Sequence, residues 1–283
     1  MKNRFLLLIA LAASVVSLSS CEKETENKTN VTYYPKYDFA YSDYVSLGDE
    51  FAPSFSAICN GKDVTSEIAY QILDIDGEPV ESVDTDNPGI YSIVYRYVNS
   101  DDVTDITKRT IYVYNPDLEI SLEGEYTIDM EQSKYESRGW TFAEAALNYG
   151  FDGKISIKFT EILPGFYRCN DLLAKWYDQI RGYNDANDGQ YDFKAGGIVY
   201  LDASGDLILL TSTVPAWGDA LDYMENAHYD AKTGALSYFV SYAEEVVQMT
   251  VVAQQVREVE EKSEDYKKGY EDGYEAGKNE SGN

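Results

Sequence analysis

From Tyr33 to about Ala253 the chain is a succession of short apolar runs, each cut off by a turn signal. No other feature constrains the fold as much. In the first half the turns recur roughly every ten residues, a spacing that suits strands and leaves no room for long helices. Residues 68–73 run into the turn Asp74-Ile75-Asp76-Gly77. Asn87-Pro88-Gly89 feeds the aromatic-rich run 90–98, and Arg109-Thr110-Ile111-Tyr112-Val113 closes the unit before Asn115-Pro116-Asp117. Further on, Ile155-Ser156-Ile157-Lys158-Phe159 alternates with period two, as a half-buried strand does. Residues 197–202, Ser204-Gly205 and residues 206–211 read as a hairpin, and 236–240 and 246–252 as closing strands. The 26 Tyr, against ten Phe and three Trp, suit such an architecture because aromatic rings pack well on pleated surfaces.

These signals predict an all-β chain with two domains. Residues 33–115 form an immunoglobulin-like sandwich of some six or seven strands. Residues 118–253 form a second β-sandwich or barrel-like domain interrupted by two short helices. One helix opens with the capping-box spacing Thr141-Phe142-Ala143-Glu144; the other carries the apolar stripe Leu172, Leu173, Trp176, Tyr177 and Ile180. Residues 254–283 are a charged tail, helical or disordered, in which Tyr266, Tyr270 and Tyr274 alternate with Gly269, Gly273 and Gly277.

Charge and residue usage exclude several functions. A formal charge of −27 opposes any nucleic-acid partner. A single His, His228, leaves no His-cluster metal site and no ready Ser-His-Asp triad. The segment Asn184-Asp185-Ala186-Asn187-Asp188-Gly189 approaches a calcium loop but fails it, since Ala186 and Ala195 fall at ligand positions. Cys59 and Cys169 sit in different domains and read as buried free thiols. With no Gly-rich phosphate loop, no Gly-x-Ser-x-Gly and no Cys/His nucleophile set, neither a cofactor nor catalytic residues are expected.

The N-terminal residues give an address. Lys2 and Arg4 precede an apolar stretch over residues 5–16, which is too short to span a bilayer and fits a secretory signal. Leu18-Ser19-Ser20-Cys21 follows and resembles the bacterial lipobox, in which cleavage precedes a cysteine whose thiol takes the lipid as a thioether. The expected organisation is therefore a signal peptide over 1–20, then a lipidated Cys21 with an acidic tether over 21–32. The run Cys21-Glu22-Lys23-Glu24-Thr25-Glu26 resembles the surface-export signal of lipoproteins in the Bacteroidetes group. That resemblance implies an outer-membrane protein facing the cell exterior, held to the membrane through its lipid.

Two further resemblances concern the domains. Leu47-Gly48-Asp49, Asn60-Gly61-Lys62-Asp63-Val64-Thr65, Pro88-Gly89-Ile90-Tyr91 with Val94-Tyr95, and Arg109 with Val113 stand in the order found in bacterial immunoglobulin-like repeats. Asp101-Asp102 departs from that pattern, where such repeats carry a glycine turn. The second domain resembles the C-terminal domains of two-domain Bacteroides outer-membrane lipoproteins of unknown function. The features are its Gly-x-Tyr start at Gly124, Pro164-Gly165-Phe166-Tyr167, the Trp-Tyr pair at 176–177, the Trp217-Gly218 loop and the closing Tyr229-Asp230-x-x-x-Gly234 hairpin. Some such relatives are encoded beside glycan-import machinery, so the resemblance implies a part in polysaccharide binding or uptake and transfers no catalytic residue.

Candidate ligand contacts are aromatic. Trp217, flanked by Pro215 and Asp219, is expected in a loop, with Asp219 and Asp222 placed to accept hydroxyl groups. Trp176 and Tyr177 are the second pair, although Trp176 on an apolar stripe also suits a core. The sequence thus reads as a non-catalytic surface lipoprotein that binds glycan or assists an outer-membrane uptake complex. A structural or adhesion lipoprotein with a protein partner, and a glycoside hydrolase with an unrecognised site, stand as alternatives.

Overall fold

The computed structural model describes residues 32–186 and 188–257; the lipobox, the tether and most of the charged tail lie outside them. The protein is an all-β, two-domain molecule.

The first domain packs a three-stranded sheet on a five-stranded one. Its strands are β1 (Lys36–Phe39), β2 (Tyr44–Ser46), β3 (Phe55–Cys59), β4 (Lys62–Asp63), β5 (Ala69–Leu73), β6 (Pro79–Val80), β7 (Gly89–Val98) and β8 (Thr104–Tyr114). The sheet orders are β1-β3-β4 and β2-β8-β7-β5-β6. Every pairing is antiparallel except β2 with β8, in register Val45 opposite Val113. Alternate residues of β7 and β8, namely Ile93, Tyr95, Tyr97, Ile111 and Val113, point into a shared core with Val45, Ala57 and Ile72. Arg109 is half-exposed; it binds Asp43 at 2.5 Å and lies 4.5 Å over the Phe39 ring. In the β7–β8 turn Asp102 takes the left-handed conformation (φ 60°), and Asn99 Oδ1 accepts from Asp101 N and Val103 N. An Asp can do this because its short polar side chain tolerates that region, so the turn forms without the glycine of the repeats it resembles.

The second domain comprises β9 (Gly124–Ile128), β10 (Lys134–Tyr135), β11 (Trp140–Thr141), β12 (Ser156–Leu163), β13 (Phe166–Cys169), β14 (Gly196–Leu201), β15 (Leu207–Thr213), β16 (Leu221–Asp230), β17 (Ala235–Tyr242) and β18 (Val247–Gln255). Eight of these run in sequence as an antiparallel meander, β9-β12-β13-β14-β15 on one side and β16-β17-β18 on the other. β18 returns to pair with β9, Ala253 opposite Ile128. The sheet curls until β15 meets β16 through two isolated bridges, Asp206 with His228 and Val214 with Asp219. Of the two architectures expected, sandwich or barrel, the chain adopts an up-and-down barrel. Eight strands enclose just enough room for side chains to fill. The inward residues Tyr126, Ile157, Phe159, Tyr167, Val199, Leu201, Tyr238, Val240, Met249 and Val251 form one buried core.

The seam depends on Gly205. It has φ +94°, and a β-carbon there would stand 2.3 Å from the Tyr229 carbonyl oxygen, so the strands can approach only because it has none.

Helix α1 (Phe142–Tyr149) begins with the expected capping box. Thr141 Oγ1 accepts from Glu144 N at 3.1 Å, and Thr141 N donates to Glu144 Oε2 at 2.8 Å. The second apolar stripe differs from a regular helix. Ala174 and Lys175 are both left-handed (φ 50° and 60°), and only Trp176–Ile180 forms a single π-helical turn, followed by α2 (Tyr183–Ala186). Leu172, Leu173 and Trp176 are wholly buried, so burial decided this segment's conformation against helical regularity.

The two domains touch along one flank. Ile90, Tyr112 and Tyr114 of the sandwich meet Leu163, Phe166 and Tyr200 of the barrel, with Tyr112 and Phe166 edge to face at 5.6 Å.

Candidate functional site

The strand directions put the long connections at one end of the barrel. Residues 129–155 and 170–195, the loop 214–220 and the turn 243–246 all emerge there, whereas the opposite end has short turns such as Pro164-Gly165 and residues 202–206. Loops carried on a rigid scaffold are where binding residues concentrate.

Trp217 stands at this end, in the loop between β15 and β16, and 43% of its surface is exposed. Its ring rests on others: Tyr177 edge-on at 4.8 Å, Phe193 at 5.1 Å, Tyr242 near-parallel at 5.9 Å and Tyr183 at 6.3 Å. Tyr191, 54% exposed, extends the group beside Phe193 at 6.2 Å. The result is an aromatic platform fixed from beneath and open above. Backbone bonds hold the loop, with Trp217 N and Gly218 N both donating to Val214 O. Pairs of rings at such separations contribute about 0.5–1.5 kcal/mol each beyond burial, so the indole is pre-positioned.

The other expected contacts divide. Tyr177 underlies the platform with 9% exposure; burial, the largest effect, pushes its hydroxyl pKa up to about 12. Asp219 borders the platform, and both its oxygens take the Tyr242 hydroxyl, at 2.8 and 2.9 Å. Burial, followed by that carboxylate, raises the Tyr242 pKa and keeps the hydroxyl a donor. Asp222 serves the fold, accepting from Ser241 Oγ, Glu244 N and Glu245 N. Trp176 is 0% exposed among Tyr135, Phe142 and Tyr149, with ring centres 4.5, 5.5 and 6.2 Å away, and has no surface to offer a ligand. Its Nε1 is a buried donor with no partner among the described residues.

Sequence reasoning missed Tyr183, Tyr191, Phe193 and Tyr242, and with them Arg181. The guanidinium of Arg181 lies 4.8 Å from the Tyr149 ring centre and 5.2 Å from that of Tyr183, and its Nη2 donates to Tyr183 Oη at 3.1 Å. The available signal was a long segment between two strands, 170–195, with aromatics at 176, 177, 183, 191 and 193.

Beneath the platform, Asp171 is buried and accepts from Leu173 N and Ala195 N. Burial raises its pKa to about 6 despite the opposing charge of Lys175. Cys59 and Cys169 are buried and unbridged, one in each domain, as the sequence predicts. A separate cavity of about 400 Å³ lies on the outer face of β13–β15, lined by Arg168, Asn170, Gly196, Gly197, Ile198 and Thr211. It does not include the platform.

An up-and-down barrel with an aromatic platform at its looped end, joined to a β-sandwich, is the class of protein that fold and site define. Residues 115–255 match a family model described as "-like, C-terminal domain". The chain is also similar to the lipoprotein BT2262 from Bacteroides thetaiotaomicron, at 27% identity over 78% of this chain and 100% of that one, with a TM-score of 0.40. No curated protein matches the chain.

Proposed function

We propose that this chain is a lipid-anchored lipoprotein of the outer membrane, facing the cell exterior, that binds glycan at the looped end of its barrel and performs no catalysis. In this role it would hold polysaccharide for an uptake complex. The observation that carries the reading is the exposed Trp217 face on its bed of Tyr177, Phe193 and Tyr242. The negative face of an aromatic ring attracts the weakly positive C–H face of a sugar, and a ring already packed loses little entropy on binding. The nearby carboxylates are engaged in the fold, Asp219 by Tyr242 and Asp222 by backbone amides, which suits binding rather than acid–base chemistry. Anchoring rests on Cys21 in its lipobox context.

Affinity electrophoresis through polysaccharide gels tests the site. Trp217→Ala should remain folded and lose retention; a folded variant with unchanged retention overturns the assignment. Cys21→Ala should leave the membrane fraction, and its persistence there after a high-salt wash would refute the anchor.

A further inference from the structure

We propose that the platform selects acidic glycans, with the Arg181 guanidinium pairing a sugar carboxylate while a neighbouring ring lies on Trp217. This rests on the platform reading above and names its ligand class. In a chain with 50 acids and 23 bases, a cation at the surface has abundant potential partners. The neighbouring lysines have them: Lys175 lies 3.7 Å from Asp178, and Lys194 3.5 Å from Asp192. Arg181 makes no ion pair among the described residues, although it is only half-buried. It is not mobile for want of one, because its plane contacts the rings of Tyr149 and Tyr183 and one nitrogen is fixed by the Tyr183 hydroxyl. A guanidinium held in one plane with N–H groups to spare is a two-pronged receptor for a carboxylate.

Placement connects it to the stacking surface. The Tyr183 ring that carries Arg181 also contacts Trp217, Tyr177 and Phe193, so one ring separates the cation from the exposed indole. Three of the acids at this end are already engaged. Asp219 is bound by Tyr242, and Asp178 and Asp192 by their lysines. The remaining negative charge of the molecule acts through salt water, where fields fade over about 8 Å at physiological ionic strength.

The test uses the mature chain in gels containing polygalacturonate or alginate, neutral dextran or galactomannan, and dextran sulfate. Wild type should be retained by the carboxylated polymers, more weakly as salt rises. Arg181→Gln should weaken that retention at least about tenfold, the loss expected for a hydrogen-bonded charge pair, with an unchanged melting temperature. Arg181→Lys, which keeps the charge and loses the planar fork, should fall between, and it serves as the reporter if the Gln variant misfolds. Absence of retention by both carboxylated polymers overturns the inference. Retention by neutral polymers alone, abolished by Trp217→Ala, would do so while leaving the platform reading intact. Equal retention by dextran sulfate would show an unselective anion patch and overturn the carboxylate assignment.

Discussion

The turn between β17 and β18 gives a quantitative test of what Asp222 does. Ala243, Glu244 and Glu245 are three consecutive residues with positive φ, 59°, 54° and 65°, and none is a glycine. Each left-handed residue costs about 1 kcal/mol, so the turn carries about 3 kcal/mol of local strain. The Asp222 carboxylate offsets it by accepting from Glu244 N at 3.1 Å and from Glu245 N and Ser241 Oγ at 2.9 Å. Bonds to a charged acceptor contribute about 1.5–3 kcal/mol each when buried. Asp222 is exposed, and solvent screening reduces its three bonds to about 2 kcal/mol together. Asp222→Ala should therefore lower the stability of the barrel by about 2 kcal/mol, a fall in melting temperature of about 4–8 °C. Adding Glu244→Gly should restore about 1 kcal/mol by removing one strained residue. Partial burial raises the Asp222 carboxyl pKa, but the bonds from Glu245, Ser241 and Glu244 outweigh it and the net shift is downward. A lowered folded pKa means that this stabilisation is present above the ordinary carboxylate range and lost as pH falls through the folded value. Urea unfolding of wild type, the single variants and the pair provides the measurement. An Asp222→Ala loss under about 0.5 kcal/mol, or no rescue by Glu244→Gly, would refute the strain argument.

Gly205→Ala should cost more than about 2 kcal/mol, because the new methyl group meets the Tyr229 carbonyl and the backbone is left-handed there; hydrogen exchange at Tyr229 N, which donates to Gly205 O, should rise sharply. For Asp171 the folded pKa is raised to about 6, so the charged form is penalised and wild-type stability should fall as pH rises from about 4 to above 6. Asp171→Asn keeps an acceptor for Leu173 N and Ala195 N and should flatten that dependence, as thermal melts across the range would show. Thr141→Ala removes the cap of α1 and should cost about 1 kcal/mol by chemical denaturation.

The strands were legible because each signal is local. The hairpin at 197–211, the capping box at Thr141 and the Asn99–Val103 turn depend on residues within a few positions of one another. Closure of the barrel was not legible, because it depends on β18 reaching β9 across more than a hundred residues and on a close contact that only a glycine permits. The stripe at 172–180 showed its burial and misled about its form: periodicity reports which residues face inward, and two left-handed residues can place them there without a helix. At the site, Pro215 and Gly218 exposed Trp217 as a loop residue, while nothing in sequence separates an Asp with free carboxylate oxygens from one whose oxygens are taken by backbone amides. Asp222 belongs to the second kind through partners some twenty positions away. Arg181 is a similar case, since its π-partner Tyr149 comes from a different connection.

The two ends of the barrel differ for a physical reason. Turns as short as Pro164-Gly165 fix register but have no length with which to build a surface, and the sandwich docks on the flank that reaches this end, at Leu163, Phe166 and Tyr200. The opposite end has two connections long enough to fold back, and the core could have been closed there with aliphatic side chains alone. The chain instead closes it with Trp176 below and a layer of Tyr177, Tyr183, Phe193 and Tyr242 above, and then leaves Trp217 and Tyr191 uncovered. Aromatic rings that merely sealed a barrel would gain about 25 cal/mol for each further Å² buried, so covering those two would have been stabilising. The layer leaves two rings, Trp217 and Tyr191, uncovered beside Arg181, which makes no ion pair among the described residues; under the proposed function these are the groups that would meet the ligand.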